Sequence, residues 1–277
     1  MLANIATLSS KDRWLGRGPD MLCWPRRGLR GVLVYGVAMG FGLAVPGSAS
    51  AITGGSEFPV ERFSSVVYLA DSSGGTFCGG VLVAPAKVLT AAHCTEDVPQ
   101  REVRVVAGRQ HQRDSDGVQA SVSSVWKHPD YRGYGTGSDM AVLTLGQRIP
   151  FPAAAVAQDQ HRDLYAPGTE ATVFGWGRLA LHGERSDTLR SVTVPVTTDQ
   201  ACSAAYSGYD PRTMVCAGYQ EGGKDSCEGD SGGPLVVGHT VIGVVSFGSD
   251  SGCGAPGKPG VYTRISTFAA DLAKQIR

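Results

Sequence analysis

Short β-branched runs, separated by turn residues, recur along most of this chain and limit its fold more than any other feature. Each run is rich in Val, Ile, Leu and Thr and ends at Gly, Pro, Asp or Ser. Many strand-length runs with turn signals between them are typical of antiparallel sandwiches or barrels, and the 38 glycines agree with a turn-rich protein. Examples lie at residues 65–70, 80–89, 103–107, 140–145, 169–174, 189–196, 235–237 and 241–247.

The apolar residues of the last segment recur with the period of a helix instead of a strand. Phe268, Leu272 and Ile276 recur every four residues, and Ser266 precedes them as a candidate N-cap. The sequence therefore predicts an all-β protein with one terminal helix.

The first 51 residues have the layout of a secretory signal. An uncharged run at residues 31–45 follows three arginines at positions 26–30, and Ala-Ser-Ala stands at 49–51. The run is shorter than the roughly 20 residues that span a bilayer, which disfavours a membrane anchor. We expect a signal peptide over residues 1–51, with Met21 as an alternative start and cleavage after Ala51 or Ala49, and hence a secreted protein.

Cysteine usage agrees with export. One cysteine falls in the leader, and six follow it; an even number in an exported domain predicts disulfides. No C-x-x-C pair is present, which disfavours zinc. Spacing alone leaves the pairing open. The six are Cys78, Cys94, Cys202, Cys216, Cys227 and Cys253.

The charge balance of residues 52–277 argues against nucleic-acid and membrane partners. Residues 52–277 carry 19 basic and 23 acidic side chains. This mildly acidic balance predicts neither a nucleic-acid partner nor stable association with a membrane.

Three segments carry residues that suit nucleophilic catalysis. They are TAAHC at 90–94, GSDMAVL at 137–143 and DSCEGDSGGP at 225–234. A serine hydroxyl is a weak nucleophile that needs a base, and that base needs a third group to orient it. Alone, a His beside Cys, an Asp before a strand or a Ser among glycines is usually structural; the combination is more specific.

The sequence around the candidate His, Asp and Ser, and the chain from residue 52 onward, resemble the trypsin-like, chymotrypsin-fold serine proteases, and among them the bacterial trypsins. The resemblance implies two six-stranded antiparallel β-barrels within residues 52–277, with a boundary near 160–168 and an active site between them. The shared motifs are ITGG at 52–55, TAAHC at 90–94, DMAVL at 139–143, GWG at 175–177, GDSGGP at 229–234, VSFG at 245–248 and PGVYT at 259–263.

The resemblance also implies roles. Ser231 would attack the scissile carbonyl, His93 would act as its base, and Asp139 would orient His93. The backbone N–H groups of Gly229 and Ser231 would form the oxyanion hole, and Ser246 would support the aspartate. The implied enzyme is an endopeptidase that forms an acyl-enzyme.

The residues of the implied specificity pocket indicate cleavage after Arg or Lys. Asp225 would sit at the pocket base, Ser226 would help to bind a Lys ammonium, and Gly248 and Gly260 would leave room for a long side chain. Two residues depart from the family: Phe247 stands where Trp is usual, and Glu228 stands where trypsins carry Gln. Glu228 predicts a penalty on acidic residues near the scissile bond.

The resemblance further implies an activation pair and a disulfide pattern. The amine of Ile52 would pair with Asp230 once the leader is cut; Ala51 replaces the Arg or Lys that precedes this Ile in most relatives. Signal peptidase alone would then activate the enzyme. The implied disulfides are Cys78–Cys94, Cys202–Cys216 and Cys227–Cys253.

Cofactors and partners complete the expectations. The loop after Gly108 lacks the family's paired calcium glutamates, so we predict neither metal nor cofactor. Expected partners are protein or peptide substrates and protein protease inhibitors, and the expected state is a monomer.

Two rival functions are an inactive homologue that acts as a binding protein and an esterase. Esterases place their serine in G-x-S-x-G, as at 229–233, but before a helix and with the histidine last in the chain.

Overall fold

The structure, a computed structural model, describes residues 52–277; the leader expected over residues 1–51 and its cleavage site lie outside the described residues. The described residues contain fourteen β-strands and two short α-helices. In chain order they are β1 (Ser56–Glu57), β2 (Val66–Ala70), β3 (Thr76–Ala84), β4 (Lys87–Thr90), β5 (Arg104–Ala107), β6 (Val118–Lys127), β7 (Ala141–Leu145), β8 (Ala155–Val156), β9 (Glu170–Gly175), β10 (Arg190–Pro195), α1 (Asp199–Ala205), β11 (Met214–Ala217), β12 (Pro234–Val237), β13 (Thr240–Phe247), β14 (Gly260–Arg264) and α2 (Ala269–Gln275).

Strands β2 to β7 form a closed antiparallel barrel in the order β2-β3-β4-β7-β6-β5. The barrel closes where β2 pairs with β5, from Val67 opposite Ala107 to Ala70 opposite Arg104. All five residues of β2 are buried, because β-branched and aliphatic side chains fill both sides of this strand. The predicted first six-stranded barrel is confirmed.

The other eight strands form one sheet in the order β1-β10-β9-β12-β13-β14-β11, with β8 parallel to β13. The trypsin-like, mostly β fold is confirmed, but the predicted second six-stranded barrel is not closed. Strands β10 and β11 approach each other only through a single bridge between Val196 and Ala217. Proline has no N–H to donate, and the β10 ladder ends at Pro195, whose carbonyl accepts from Gly218 at 2.9 Å.

The terminal helix begins later than its sequence suggests. Residues Ile265–Phe268 form a 3₁₀ turn, and α2 follows. Ser266 lies inside the 3₁₀ turn, and Phe268 occupies the cap position of α2 without a side-chain hydrogen bond, so Ser266 does not serve as the predicted N-cap. Phe268 and Leu272 are buried and Ile276 packs on the core, which confirms the predicted apolar stripe.

Three disulfides join loops and strand ends within the described chain. Their pairs are those that the family resemblance implies: Cys78–Cys94, Cys202–Cys216 and Cys227–Cys253. Between residues 52 and 277 no helix has the length and apolar content to cross a bilayer.

Candidate active site

Neighbouring strands of the barrel bring the candidate histidine and aspartate together. Strands β4 and β7 pair, with Thr90 opposite Ala141. His93 lies three residues beyond Thr90, in a 3₁₀ turn, and Asp139 lies two residues before Ala141. Because the strands are antiparallel, the end of one and the start of the other meet at the same barrel rim.

Asp139 is fully buried and orients His93 through two hydrogen bonds. The backbone N–H of His93 donates to Oδ1 at 3.0 Å, and its ring Nδ1 donates to Oδ2 at 2.7 Å. The hydroxyl of Ser246 donates to the same Oδ2 at 2.6 Å. With the ring proton held at Nδ1, the lone pair of Nε2 is left to accept a proton.

Ser231 is docked against the barrel through its backbone. Its carbonyl accepts from the N–H of Gly79 on β3 at 2.7 Å. The next residue, Gly232, has φ +82°, and a side chain there would begin 2.2 Å from the Thr90 hydroxyl oxygen. Only glycine fits this turn, which positions the serine of the sheet beside the histidine of the barrel.

Within residues 52–277 no hydrogen bond joins the Ser231 hydroxyl to His93. Cys94 Sγ of the Cys78–Cys94 disulfide contacts both residues: it is 3.7 Å from His93 Nε2 and 3.5 Å from the Ser231 carbonyl oxygen. Catalytic hydrogen bonds are often long before substrate binds, so the lack of this bond is compatible with proton transfer in a substrate complex.

The backbone around Ser231 presents unused donors. Gly229 has φ +94°, a conformation that turns its N–H without strain from a Cβ atom. Across the described chain, the N–H groups of Gly229 and Ser231 donate to no protein acceptor. Backbone N–H groups without a protein acceptor are the donors that an oxyanion hole requires.

A cavity of about 160 Å³ opens next to Ser231. Asp225 lines it, is 3 % exposed, and accepts from the N–H groups of Ser226 at 2.8 Å and Gly254 at 3.3 Å. Burial raises the pKa of Asp225 to about 7, against the opposing effect of these N–H groups. Of the residues predicted for the pocket, Asp225, Ser226, Glu228, Ser246, Phe247 and Gly248 line this cavity.

Gly260 lies behind the cavity rather than in its wall. A side chain there would begin 2.4 Å from Asp225 Oδ1 and 3.1 Å from the hydroxyl oxygen of Tyr262. Sequence reasoning missed Tyr262, whose buried hydroxyl has no hydrogen-bond partner in the described chain. Nothing lies within 4 Å of a side chain built at Gly248, so that wall is open.

Asp230 and Ile52 are both fully buried. The Asp230 carboxylate accepts from the N–H groups of Gly177 at 2.8 Å and Cys227 at 2.9 Å. Burial raises the pKa of Asp230 to about 7 despite these donors and the nearby charge of Arg185. A buried carboxylate with a raised pKa gains stability from a cation placed beside it.

The cavity rim contains charges and rings that sequence reasoning did not find. Arg178 Nε lies 2.6 Å from Glu228 Oε2, and His182 Nδ1 lies 3.7 Å from the other carboxylate oxygen. Tyr134 packs edge-on to His93 and to Phe247. No local pattern marks these partners, since Arg178 is 50 positions from Glu228 along the chain.

One cluster of potential metal ligands includes the candidate catalytic histidine. Among the described residues the only cluster of three such groups is Cys78, His93 and Cys94. Its two sulfurs share a disulfide and are not thiolates, so this cluster does not suit a metal ion.

Comparison with known proteins identifies the family. The family model described as Trypsin matches residues 52–271. A trypsin of Saccharopolyspora erythraea is 44 % identical over 226 residues, which cover 81 % of this chain and 98 % of the relative. Trypsin 5G1 of Aedes aegypti is 40 % identical, over 83 % of this chain and 86 % of the relative, and a trypsin of Squalus acanthias is 36 % identical, over 83 % and 98 %. The chain therefore belongs to the trypsin family of serine endopeptidases.

Proposed function

We propose that this endopeptidase cleaves proteins after Arg or Lys through a triad of Ser231, His93 and Asp139. The observation that carries the proposal is the buried Asp225 carboxylate, which lines a cavity beside Ser231. A buried carboxylate favours a cationic side chain and is left without a partner by any other.

The proposed reaction follows the family's known triad mechanism. Ser231 Oγ bonds to the scissile carbonyl carbon while its proton passes to His93 Nε2, and the N–H groups of Gly229 and Ser231 bind the oxyanion. His93 then donates the proton to the leaving amine as the carbon–nitrogen bond breaks. Water, deprotonated by His93, releases the acyl group and restores Ser231.

The pocket proposal is tested with four peptide substrates that place Arg, Lys, Phe or Ala before the same scissile bond. We expect kcat/KM for Arg and Lys to exceed that for Phe by at least about a thousandfold, the discrimination typical of a site with a buried polar group. Asp225→Ser should remove most of this preference. Equal cleavage after Phe and Arg by the wild type would exclude Asp225 as the selector. A serine-directed covalent inhibitor should block all hydrolysis, which separates this activity from a binding function.

We further propose that the protein is secreted and is activated by removal of its leader. The new Ile52 amine would pair with Asp230, and Ala51 would make signal peptidase the activating enzyme. The complete burial of Ile52 and Asp230 supports this proposal. N-terminal sequencing of the exported protein tests it: Ile52 is expected first. A protein that starts at Ser50 and remains inactive until it is trimmed would refute activation by signal peptidase.

The remaining proposals concern the oligomeric state and the binding partners. We propose a monomer that acts on protein or peptide substrates and is a target for protein inhibitors, without stable membrane association. Size-exclusion chromatography with light scattering tests the monomer, and a dimer at micromolar concentration would contradict it.

A further inference from the structure

A hairpin borders the oxyanion-hole backbone. Arg178 and Arg185 form a β-bridge, and the N–H of Leu179 donates to the Glu184 carbonyl at 2.9 Å. Just outside the hairpin, the N–H of Ser186 donates to the Gly177 carbonyl at 3.0 Å. The N–H of Arg178 also donates to the Glu228 carbonyl at 2.8 Å, which holds the base of the hairpin beside residue 228.

The two arginines differ in what they bind. The Arg178 guanidinium is held by the Glu228 carboxylate at 2.6 Å and also donates to the Gly183 carbonyl. The exposed Arg185 makes no hydrogen bond or ion pair within residues 52–277. Its guanidinium is therefore available to a ligand.

The position of Arg185 is set by its contact with Gly229. A side chain at Gly229 would begin 2.5 Å from Arg185 Nη1 and 3.3 Å from its Cζ, so the guanidinium packs on the Gly229 backbone. Glu228 lines the Asp225 cavity, whereas Arg178 and Arg185 do not. Arg185 thus lies against the proposed oxyanion hole and outside the specificity pocket.

The two carboxylates that flank Gly229 in the chain are both engaged. Glu228 is paired with Arg178, and Asp230 is fully buried with its oxygens bound to backbone N–H groups. Desolvation of the guanidinium where it packs on Gly229, and then the proximity of Arg178, lower the pKa of Arg185, which remains charged at neutral pH. An incoming carboxylate would offset the repulsion from Arg178.

We propose that Arg185 selects substrates with Asp or Glu among the first two residues after the scissile bond. This inference rests on the proposed function. With the cationic side chain in the Asp225 cavity and the scissile carbonyl at Gly229, the leaving segment departs past the Gly229 backbone. Each extended residue spans about 3.3–3.6 Å, so Arg185 lies within reach of these two positions. A guanidinium recognises a carboxylate through two parallel N–H···O bonds.

The test uses matched internally quenched peptides with one Arg and either Glu, Gln or Lys at the first or second position after it. For wild type at low salt we expect kcat/KM for the better Glu peptide to exceed that for its Gln partner by about three- to fivefold, the range of an exposed ion pair. Arg185→Gln should bring this ratio close to one, and Arg185→Glu should make Lys preferred over Gln. Arg101→Gln removes an equal charge at a site that pairs only with Glu102, and it should leave the ratio unchanged.

The wild-type ratio should also fall towards one as salt is raised, which tests the inference without a variant. A wild-type Glu/Gln ratio of one at both positions would overturn it. So would Arg185 variants that slow every peptide equally, because Arg185 would then act only by supporting Asp230. Failure of the proposed function looks different: no Arg peptide of any kind would be cleaved.

Discussion

The closed barrel and the open sheet hold their functional residues in different ways. The barrel places Asp139 and His93 at the ends of two paired strands. Both carboxylate oxygens of Asp139 accept hydrogen bonds, from His93 and from Ser246. The sheet places Asp225, Asp230 and Ser231 on the segment between β11 and β12, and within residues 52–277 neither of these two buried aspartates forms an ion pair. Under the proposed function the barrel's half of the site is preformed, whereas the sheet's half gains its cations from the substrate and from the Ile52 amine.

The largest expected effect tests the barrel's half. Asp139→Asn should lower kcat on an Arg anilide by about 10⁴-fold, the loss known for this change in the family, because the Nδ1–H of His93 loses its acceptor. The affinity for benzamidine, an aromatic amidinium that would bind Asp225, should not change. Asp210→Asn, which alters an exposed ion pair 2.8 Å from Arg212, serves as the control. A weaker benzamidine complex in Asp139→Asn would show that the two halves are coupled.

The next effect tests the sheet's half. Asp230→Asn should reduce kcat/KM by about 10²- to 10³-fold, because the Ile52 amine would lose its buried partner. Here benzamidine affinity should fall as well, since Asp230 lies five residues from Asp225 and orders the same loop. Steady-state kinetics and inhibitor titration measure both quantities. Full activity in Asp230→Asn, or in a protein with extra residues fixed before Ile52, would show that the sheet's half of the site does not need the Ile52–Asp230 pair.

A third prediction follows from the raised pKa of Asp225. The free carboxyl has a pKa of about 7, and only its ionised form attracts an amidinium. Below pH 7 the affinity for benzamidine should therefore fall by up to about tenfold for each pH unit. The titration is made with His93→Ala, so that protonation of the imidazole adds nothing, and binding should release a proton near pH 6. An affinity that is flat between pH 5 and 8 would disprove the raised pKa.

The smallest expected effect concerns the rim. From sequence alone Glu228 predicts a penalty on acidic residues, but its carboxylate lies 2.6 Å from Arg178 and is partly neutralised. Two peptides with either Asp or Asn before the cleaved Arg give a ratio of kcat/KM values. Glu228→Gln should change this ratio by less than about twofold at physiological salt. Arg178→Gln should reveal the penalty by freeing the carboxylate. A larger effect from Glu228→Gln alone would mean that substrate displaces Arg178.

Some strands are predicted correctly because a strand buried on both faces has a continuous apolar sequence. Residues 65–70 and 103–107 carry continuous apolar runs and form β2 and β5. Strand β6 is not among the example runs: half of its ten residues are polar, and only Ala120 and Val122 are buried. The run at 80–89 was predicted as one unit but contains a turn between β3 and β4.

The sequence by itself determined the strand-rich class, the family, the terminal apolar stripe and the identities of the candidate catalytic residues. These depend on residue type, short-range period and motif, which a linear chain displays directly. Only the tertiary structure decided that the second barrel stays open, that Arg178 binds Glu228, and that Arg185 packs on Gly229. Each of these joins segments far apart in sequence, and the strength of a charge or hydrogen bond there depends on burial and distance, which no local pattern encodes.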